Sequence, residues 1–323
     1  MRVTRSQRSE HSVTEDTTAV ERKNNSKMES ARKSICEGSI MKSSRDSTTT
    51  SKHHTKDAAK EKMQIYRFVK RTMEKGVRGL RTEFLSMKRS NNLTLMKKFA
   101  QMNQRGKNRY RAPLEKTCRD FWLMCLQERV EFIVMLCNFF EKGAKKCFQY
   151  FPTCGSIQFD EISIEYISSS MVKFTTATSA QIKVTTLLVE RNGRKLKTRH
   201  IHWIDWPDRG VPPPDTAIIQ LLEIIRNTQY PIVVHCSAGV GRTGSLVLIQ
   251  YILESLSLHE PIEDCARILL KIRAQRANTI QTDQQYLFVH QVLLNYFSEN
   301  QLLDSAWKPH LDRFTSEYRK FVF

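Results

Sequence analysis

Residues 231–245 read Pro-Ile-Val-Val-His-Cys-Ser-Ala-Gly-Val-Gly-Arg-Thr-Gly-Ser, and this short stretch predicts both a fold and a chemistry. The apolar residues 231–234 indicate a buried strand, and the apolar residues after Gly244 indicate a helix. The small residues between them let the backbone curl, so that successive N–H groups point toward one spot. That spot lies at a helix N-terminus, where the macrodipole favours an anion. The stretch therefore predicts a phosphate-binding loop. Its residues are Ser237, Ala238, Gly239, Val240, Gly241 and Arg242.

Two side chains of this loop have chemical roles that follow from their positions. Arg242 carries a planar guanidinium fork, which can hold two phosphate oxygens at once. Cys236 stands at the end of the strand among the loop amides, so we expect its thiol to have a pKa well below that of an ordinary cysteine. A thiolate at the floor of a phosphate-sized loop is a nucleophile for phosphoryl transfer. The alternative is a buried structural cysteine beside a glycine turn.

The periodicity on either side of the loop predicts an α/β (α+β) domain, with one twisted mixed β-sheet flanked by helices. Helix signals occur at 65–76, 80–87, 95–102, 118–127, 215–227, 242–256, 263–275 and 283–297, and the first of these helices is expected to end at Gly76. Strand signals occur at 132–136, 162–166, 182–189, 195–203 and 231–234. Asn192-Gly193 predicts a hairpin turn before the strand at 195–203.

The composition is that of a globular protein with a polar appendage. Apolar residues make up 40% and charged residues 26% of the 323 positions. The eight cysteines show neither CxxC pairing nor the Cys/His spacing of a zinc module, and a disulfide scaffold is not expected. The start of the chain lacks the apolar core of a signal peptide, and no apolar run reaches about 18 residues. We therefore expect a reduced, cytoplasmic protein without a transmembrane segment.

Charge and composition divide the chain into parts. Residues 1–60 lack Leu, Phe, Trp, Tyr and Pro, and 19 of them are Ser or Thr, which predicts a disordered basic tail. A catalytic domain is expected over 61–300 and a C-terminal extension over 301–323. The net charge is +19, and +12 of it falls in residues 61–116, with 16 Lys or Arg against 4 Asp or Glu. This region predicts a surface for acidic or phosphorylated partners, with solvated helix faces as the alternative. Nucleic acid is not expected, because no aromatic stacking platform accompanies the charge.

The phosphate-binding stretch resembles the signature of the protein tyrosine phosphatases, and other segments support the same family. Trp206-Pro207-Asp208 resembles the mobile loop that carries the general acid of that family. The resemblance implies that Asp208 protonates the departing tyrosine oxygen and later takes a proton from the attacking water. A plain turn is the alternative for this segment, since Pro and Asp both favour turns.

Residues 281–285 resemble the glutamine loop of the family. The resemblance implies that Gln281 positions the hydrolytic water and that Gln285 assists. A polar helix start with Asp283 as its cap is a second interpretation, and both can hold together. The resemblance also implies that Thr243 hydrogen-bonds the nucleophilic sulfur and that His235 orders the loop from behind.

Two further segments match the family. Around Glu141-Lys142-Gly143, the resemblance implies that Glu141 braces Arg242 by an ion pair and that Lys146 approaches Asp208, although such a turn by itself indicates only a turn. Lys107-Asn108-Arg109-Tyr110 resembles the wall of the phosphotyrosine pocket, where Tyr110 would stack on the substrate ring. A deep pocket of this kind admits phosphotyrosine, whereas phosphoserine is too short to reach the nucleophile. A core or surface aromatic residue is the alternative for Tyr110.

The resemblance covers roughly residues 78–298, with one interruption. The family carries two paired strands between its pocket wall and the helix that begins near Phe121, but here the six residues 111–116 span about 20 Å at most. The sheet is therefore expected to lack two strands. Ala112 stands where many members carry an Asp, which predicts weaker peptide binding. Asn278 stands where some carry a Gly, which predicts narrower access to the pocket.

The sequence thus predicts a non-receptor-type protein tyrosine phosphatase. It would hydrolyse phosphotyrosine in proteins through Cys236, without a metal or organic cofactor. A thiol of low pKa also predicts sensitivity to peroxide. Three alternatives stay open: a phosphotyrosine-binding module with little turnover, a truncated product that does not fold stably, and a dual-specificity or lipid phosphatase.

Overall fold

The computed structural model describes residues 51–87, 115–262 and 264–323. Several predictions concern residues outside these ranges and stay predictions. They are most of the tail over 1–60, the helix at 95–102, the pocket wall Lys107–Tyr110 and the substitution at Ala112.

The described residues form helices on both sides of a mixed sheet, as the sequence predicts. The helices are α1 (Ser51–Ser86), α2 (Cys118–Gln127), α3 (Ala217–Ile225), α4 (Gly241–Ser257), α5 (Cys265–Gln275), α6 (Asp283–Glu299) and α7 (Lys308–Val322). The strands are β1 (Phe132–Met135), β2 (Phe140–Glu141), β3 (Ala144–Lys145), β4 (Ser156–Phe159), β5 (Ile162–Met171), β6 (Ile182–Arg191), β7 (Arg194–Trp203) and β8 (Val233–His235). Short 3-10 helices occur at Glu115–Thr117 and Ser305–Trp307.

The main sheet has the order β4-β5-β6-β7-β1-β8 among the described residues. Strands β4 to β7 pair antiparallel, whereas β1 pairs parallel with both β7 and β8. All four residues of β1 are buried, as expected for a parallel strand that is covered on both faces. Its register places Val134 opposite Ile201 on one side and Val234 on the other. The carboxyl ends of these parallel strands meet at one edge of the sheet, where the phosphate-binding loop begins.

Helix α1 changes direction at Gly76, whose backbone (φ 59°, ψ −177°) is not helical. The predicted helix end at Gly76 and the predicted second helix from Leu80 are therefore confirmed. The helix begins at Ser51, however, ten residues before the expected start of the folded domain at residue 61. The segment Ala58-Ala59-Lys60 has high helix propensity, and it continues the helix whose apolar face packs at Ile65, so the boundary is earlier than composition alone indicated.

Besides the two short 3-10 helices, strand β4, the β2–β3 hairpin and helix α7 were not predicted. Strand β4 has half of its residues exposed, and the β2–β3 hairpin has only two residues in each strand, so neither carries a strong apolar pattern. Helix α7 lies in the C-terminal extension and buries Phe314 and Tyr318. It packs on α1, where the Arg81 guanidinium lies 3.6 Å from the centre of the Phe321 ring.

Strand β8 lies at one edge of the described part of the sheet, and β4 lies at the other. The β8 residues Val233 and Val234 are only partly buried, unlike their neighbours in β1. The described connection from Glu115 to Phe132 contains a 3-10 helix and α2. The expected loss of two strands stays a prediction, because the chain from 88 to 114 lies outside the described residues.

Candidate active site

The phosphate-binding loop connects β8, which ends at His235, to α4, which begins at Gly241. Gly239 has a φ of 63°, a left-handed conformation that glycine adopts without strain. Gly244 is required for a different reason, since a Cβ atom there would lie 2.7 Å from the backbone nitrogen of Ile280. The chain therefore curls tightly and packs against the segment that precedes α6, as the small residues of the sequence predict.

Cys236 is only 3% exposed, yet the pKa of its thiol is lowered. Burial by itself raises the pKa of a thiol, because it penalises the charged form. Here the Thr243 hydroxyl, the backbone N–H groups of Thr243 and Val240, and the charge of Arg242 together outweigh burial. The Thr243 hydroxyl is itself buried and makes no hydrogen bond of regular geometry to the other described residues, so it is free to turn toward the sulfur. The loop therefore stabilises a thiolate at the position expected for the nucleophile.

Arg242 is held rigidly by a bidentate ion pair. Its Nη1 and Nη2 lie 2.6 and 2.8 Å from Glu141 Oε1 and Oε2, and its side chain is 3% exposed. Nη1 also donates to the backbone oxygen of Trp206 at 3.1 Å. Glu141 is presented by the β2–β3 hairpin and also accepts from the backbone N–H of Asn138. The structure thus places Glu141 against Arg242. The hairpin contains the turn that its sequence indicates, and it also holds the Arg242 side chain in position.

Asp208 lies at the same site, on the loop that follows β7. Its Oδ2 accepts from Lys146 Nζ at 2.6 Å, and its Oδ1 lies 3.3 Å from Arg242 Nη2. Trp206 anchors this loop, since its ring is buried edge-on against Trp203 and Phe288. The structure therefore places Asp208, Lys146 and Arg242 in one cluster.

The charge state of Asp208 follows from these contacts. Burial raises the pKa of the carboxyl, but the hydrogen bond from Lys146 and the charges of Arg242 and Arg209 lower it below its usual range. Asp208 is therefore a carboxylate in the free protein at neutral pH. A role as general acid requires that its proton affinity rises when an anion enters the loop.

The glutamine segment leads into α6 behind the phosphate-binding loop. Gln285 is buried, and its Oε1 accepts from the backbone N–H of Gln281 at 2.9 Å. Thr282, rather than Asp283, caps α6: its hydroxyl accepts from the backbone N–H of Gln285, which completes a capping box. The Nε2 of Gln285 is buried without a partner among the described residues and faces Gly241, where a Cβ would lie 2.7 Å away.

Sequence reasoning missed one cation at the loop. Arg276 Nε and Nη2 donate to the backbone oxygens of Gly239 and Ala238 at 3.3 and 3.2 Å. These bonds hold two loop carbonyl groups on the side of Arg276. Ser237 is tied down as well, because its hydroxyl donates to the backbone oxygen of Lys146 at 3.2 Å. A lone Arg after a helix gives no local pattern that would predict such a contact.

A second missed feature lies behind the loop. Tyr150 Oη is 2.6 Å from Nε2 of His235, which agrees with the expectation that His235 lies at the back of the loop. The same oxygen is 2.7 Å from Nε2 of His200. His200 is 50 positions and His235 is 85 positions from Tyr150 along the chain. The sequence around His200 has the pattern of an ordinary strand, so it does not indicate this contact.

The part of the chain that the structure describes contains neither a metal-ligand cluster nor a membrane-spanning helix. No group of three or more His, Cys, Asp or Glu side chains in residues 51–87, 115–262 and 264–323 could hold a metal ion. No helix in the same ranges is long and apolar enough to cross a membrane.

Comparison with known sequences identifies the family of this chain. A family model described as protein-tyrosine phosphatase matches residues 107–295. Human receptor-type tyrosine-protein phosphatase zeta is 35% identical over 204 residues, which are 60% of this chain and 9% of that protein. Human tyrosine-protein phosphatase non-receptor type 9 is 33% identical over 222 residues, which are 62% of this chain and 36% of that protein. The chain therefore matches only a minor part of the length of either relative.

Solved structures of protein tyrosine phosphatases are also similar to this chain. The catalytic domain of human protein tyrosine phosphatase non-receptor type 18 matches with a TM-score of 0.53 and 30% identity, over 58% of this chain and 67% of that one. A structure of the type 18 protein in complex with HER2 phosphopeptides matches with a TM-score of 0.51 and 30% identity, over 57% of this chain and 64% of that one.

Proposed function

Because the chain belongs to the protein tyrosine phosphatase family, we propose that it hydrolyses phosphotyrosine in proteins through a phosphocysteine intermediate. The observation that carries this proposal is the lowered pKa of Cys236 in a loop whose Arg242 is fixed by Glu141. A buried thiolate beside a rigid guanidinium is suited to attack a bound phosphate and is costly to maintain for structure alone.

In the first step the sulfur of Cys236 attacks phosphorus in line with the tyrosine oxygen. The S–P bond forms as the P–O bond to the phenol breaks, and Asp208 gives its proton to the leaving oxygen. Arg242 and the loop N–H groups stabilise the charge that spreads over the three equatorial oxygens. The pair with Glu141 keeps the Arg242 fork in place before the substrate arrives, so little reorganisation accompanies the reaction.

In the second step water attacks the phosphocysteine. Asp208, now a carboxylate, takes a proton from that water, the S–P bond breaks, and inorganic phosphate leaves with the thiolate restored. Gln281 positions the water, and Gln285 supports Gln281 through the hydrogen bond to its backbone N–H. The Thr243 hydroxyl stabilises the departing sulfur.

The protonation of Asp208 follows from how phosphate changes its surroundings. In the free protein Lys146 and Arg242 keep the pKa of Asp208 low. A bound phosphate dianion neutralises Arg242 and adds negative charge beside the carboxyl, and both effects favour the protonated acid. Asp208 is therefore protonated only when substrate occupies the loop.

We propose that the substrates are phosphotyrosine-containing proteins. The type 18 structures with phosphopeptides support this assignment, as does the resemblance of Lys107–Tyr110 to the wall of a phosphotyrosine pocket. A binding module without turnover is less well supported, because Cys236, Arg242 and Asp208 are all present. We further propose that the basic region 61–116 attracts acidic partners, and that the protein acts in the cytoplasm, where its seven described free cysteines would stay reduced.

Purified full-length protein and three substrates test this function: a small aryl phosphate, a phosphotyrosine peptide and a phosphoserine peptide. We expect turnover of the first two, none of the third, and complete loss in Cys236→Ser. Cys154→Ser is the matched control, since Cys154 is an exposed free cysteine outside the loop and its loss should change nothing. A cooperative melting curve without turnover of any substrate would reject the proposal, and faster turnover of the phosphoserine peptide would reject tyrosine specificity.

A further inference from the structure

The hydroxyl of Tyr150 bridges two imidazole rings behind the phosphate-binding loop. Its Oη lies 2.7 Å from Nε2 of His200 on β7 and 2.6 Å from Nε2 of His235 on β8. All three side chains are buried, and His200 and Tyr150 are fully so. A hydroxyl has one proton to donate, so one of these imidazole nitrogens accepts from Tyr150 and the other donates to it.

The contact of His235 with the loop decides which imidazole nitrogen donates to Tyr150 and which accepts from it. His235 Nδ1 lies 3.3 Å from the backbone oxygen of Cys236, and a carbonyl oxygen can only accept. Nδ1 of His235 therefore carries a proton. Burial lowers the pKa of His235 to about 4, and it lowers that of His200 as well. Both rings are neutral at pH 7, so Nε2 of His235 has no proton and accepts from Tyr150.

The order of protons then continues to His200. Since Tyr150 gives its proton to His235, its oxygen accepts from Nε2–H of His200. Nδ1 of His200 then carries no proton, and its contact with the backbone of His200 itself falls short of regular hydrogen-bond geometry. The reverse order would set a lone pair of His235 Nδ1 against the lone pairs of the Cys236 oxygen, which lies 3.3 Å away. The first order keeps a hydrogen bond at this contact, so it is the stable one.

We propose that His200 is a positioning residue that acts through Tyr150 to fix the proton of His235 on Nδ1, and so holds the Cys236 carbonyl oxygen away from the phosphate. The C=O and N–H of a trans peptide point in opposite directions. A carbonyl held toward His235 therefore turns the N–H of Ser237 toward the opposite side, where the anion binds. Polarisation along the chain of hydrogen bonds strengthens that N–H as a donor. The same donor adds to the positive field at the Cys236 sulfur, so the proposal also predicts a lower pKa of the thiol.

Other groups face this chain of hydrogen bonds and would shift its titration. His202 and Arg242 act on His235, and His202 also acts on His200. The thiols of Cys118, Cys125, Cys137 and Cys147 surround Tyr150. Burial raises the pKa of each of these thiols, so they are neutral at pH 7 and leave the order of protons unchanged.

Nitrogen-15 NMR of the imidazole rings tests the order directly. We expect His235 of the wild-type protein to be protonated at Nδ1 and His200 at Nε2, with both rings neutral from pH 6 to 8. The opposite tautomer at either ring would overturn the proposal. The inference rests on the proposed function only in taking Cys236 as the nucleophile, and this measurement does not require turnover.

Two variants test the consequence for the loop. His200→Leu removes the donor to Tyr150, whereas His200→Gln keeps an N–H in its place. We expect iodoacetate to alkylate Cys236 at pH 5.5 about three- to tenfold more slowly in His200→Leu, the amount one hydrogen bond contributes, with little change in His200→Gln. At pH 9, where the thiol is ionised in both, the rates should agree.

The control is Tyr318→Phe, which removes a buried hydroxyl of α7 that has no partner among the described residues. It should not change the alkylation profile. If His200→Leu does not fold, His200→Gln and the wild-type tautomers still test the proposal. An alkylation profile in His200→Leu identical to that of the wild type would overturn it. A shifted profile in a protein without turnover would contradict the proposed function alone.

Discussion

Cys236 and Cys265 occupy similar positions in two regions of the molecule. Cys236 begins the loop that leads into the N-terminus of α4, and Cys265 is the first residue of α5. Each side chain belongs to a residue that is 3% exposed. The pKa of the Cys236 thiol is nevertheless lowered, whereas burial raises that of Cys265 to about 12.

The surroundings of the two sulfur atoms explain this difference. Cys236 has the Thr243 hydroxyl, two backbone N–H groups and the Arg242 charge around it. At Cys265 burial is the main cause of the raised pKa, and the carboxylates of Glu83 and Asp264 act in the same direction. The nearby Tyr286 hydroxyl donates to Glu83 Oε1 at 2.8 Å, and this hydroxyl and the charge of Lys75 offset only part of the rise. A helix N-terminus therefore does not by itself activate a buried cysteine. Several donors aimed at the sulfur, together with a cation, do activate it at Cys236, whereas one hydroxyl and one lysine do not overcome burial at Cys265.

Among the variants that test this comparison, Arg242→Lys should lose the most activity at the Cys236 site. Lysine cannot make the bidentate contact with Glu141 or with two phosphate oxygens, so we expect kcat/KM for a small aryl phosphate to fall by about 10³-fold. Arg119→Lys is the matched control, because Arg119 also pairs bidentately with a glutamate, Glu161, outside the site. A similar kcat/KM loss in both variants would show that the Arg242 pair serves stability rather than catalysis.

Asp208→Asn should give the next largest effect. We expect kcat to fall by about 10²-fold for a phenol leaving group of high pKa and much less for an activated one. Because the reactive form combines a Cys236 thiolate with a protonated Asp208, activity of the wild type declines as pH rises through the pKa of the acid. That alkaline decline should disappear in the variant. Its persistence in the pH profile would assign the acid to another group.

Thr243→Ala should give a smaller effect that isolates one donor. Loss of the hydroxyl removes one hydrogen bond to the sulfur, and we expect the pKa of Cys236 to rise by several tenths to one unit. The pH dependence of thiol alkylation measures this shift. Ser245→Ala is a useful control, since Ser245 lies two residues later in α4 and its hydroxyl donates to the Gly241 oxygen rather than to the sulfur. Equal shifts in both variants would contradict a specific role for Thr243.

Asp264→Asn should have the smallest effect, and it tests why the second cysteine, Cys265, is unreactive. Asparagine caps a helix about as well as aspartate, so the change removes one charge beside Cys265 and leaves α5 intact. We expect Cys265 to stay unreactive toward iodoacetate at neutral pH, because burial is the main cause of its raised pKa. Asp264→Ala, which also removes the cap, should lower the free energy of unfolding by about 1 kcal/mol in urea. Reactive Cys265 in Asp264→Asn would mean that the carboxylate, not burial, kept it inert.

The sequence predicted most of the fold because its strongest signals are local. The strand, the small-residue loop and the first turn of the helix around Cys236 lie within residues 231–245, and the apolar patterns of β1 and α2 are equally compact. Residues matched to a family segment, such as Glu141 and Lys146, also lie where the resemblance implied.

The remainder depends on contacts between distant residues. Tyr150 contacts His200 and His235 only when β1, β7 and β8 are assembled in the sheet. No local sequence pattern indicates these contacts. Arg276 reaches the loop from the end of α5 in the same way. The Thr282 cap, by contrast, could have been read from its spacing to Gln285, since a threonine followed three residues later by glutamine is the pattern of a capping box.

The pH dependence of carboxymethylation, read at each cysteine by mass spectrometry, tests most directly the claim that the loop activates Cys236. We expect Cys236 of the folded protein to react with a midpoint clearly below about pH 8.5, the value of an ordinary cysteine. Cys265 should react only when urea unfolds the chain. Reaction of both thiols with the same midpoint, or a Cys236 that reacts only at alkaline pH, would contradict the account.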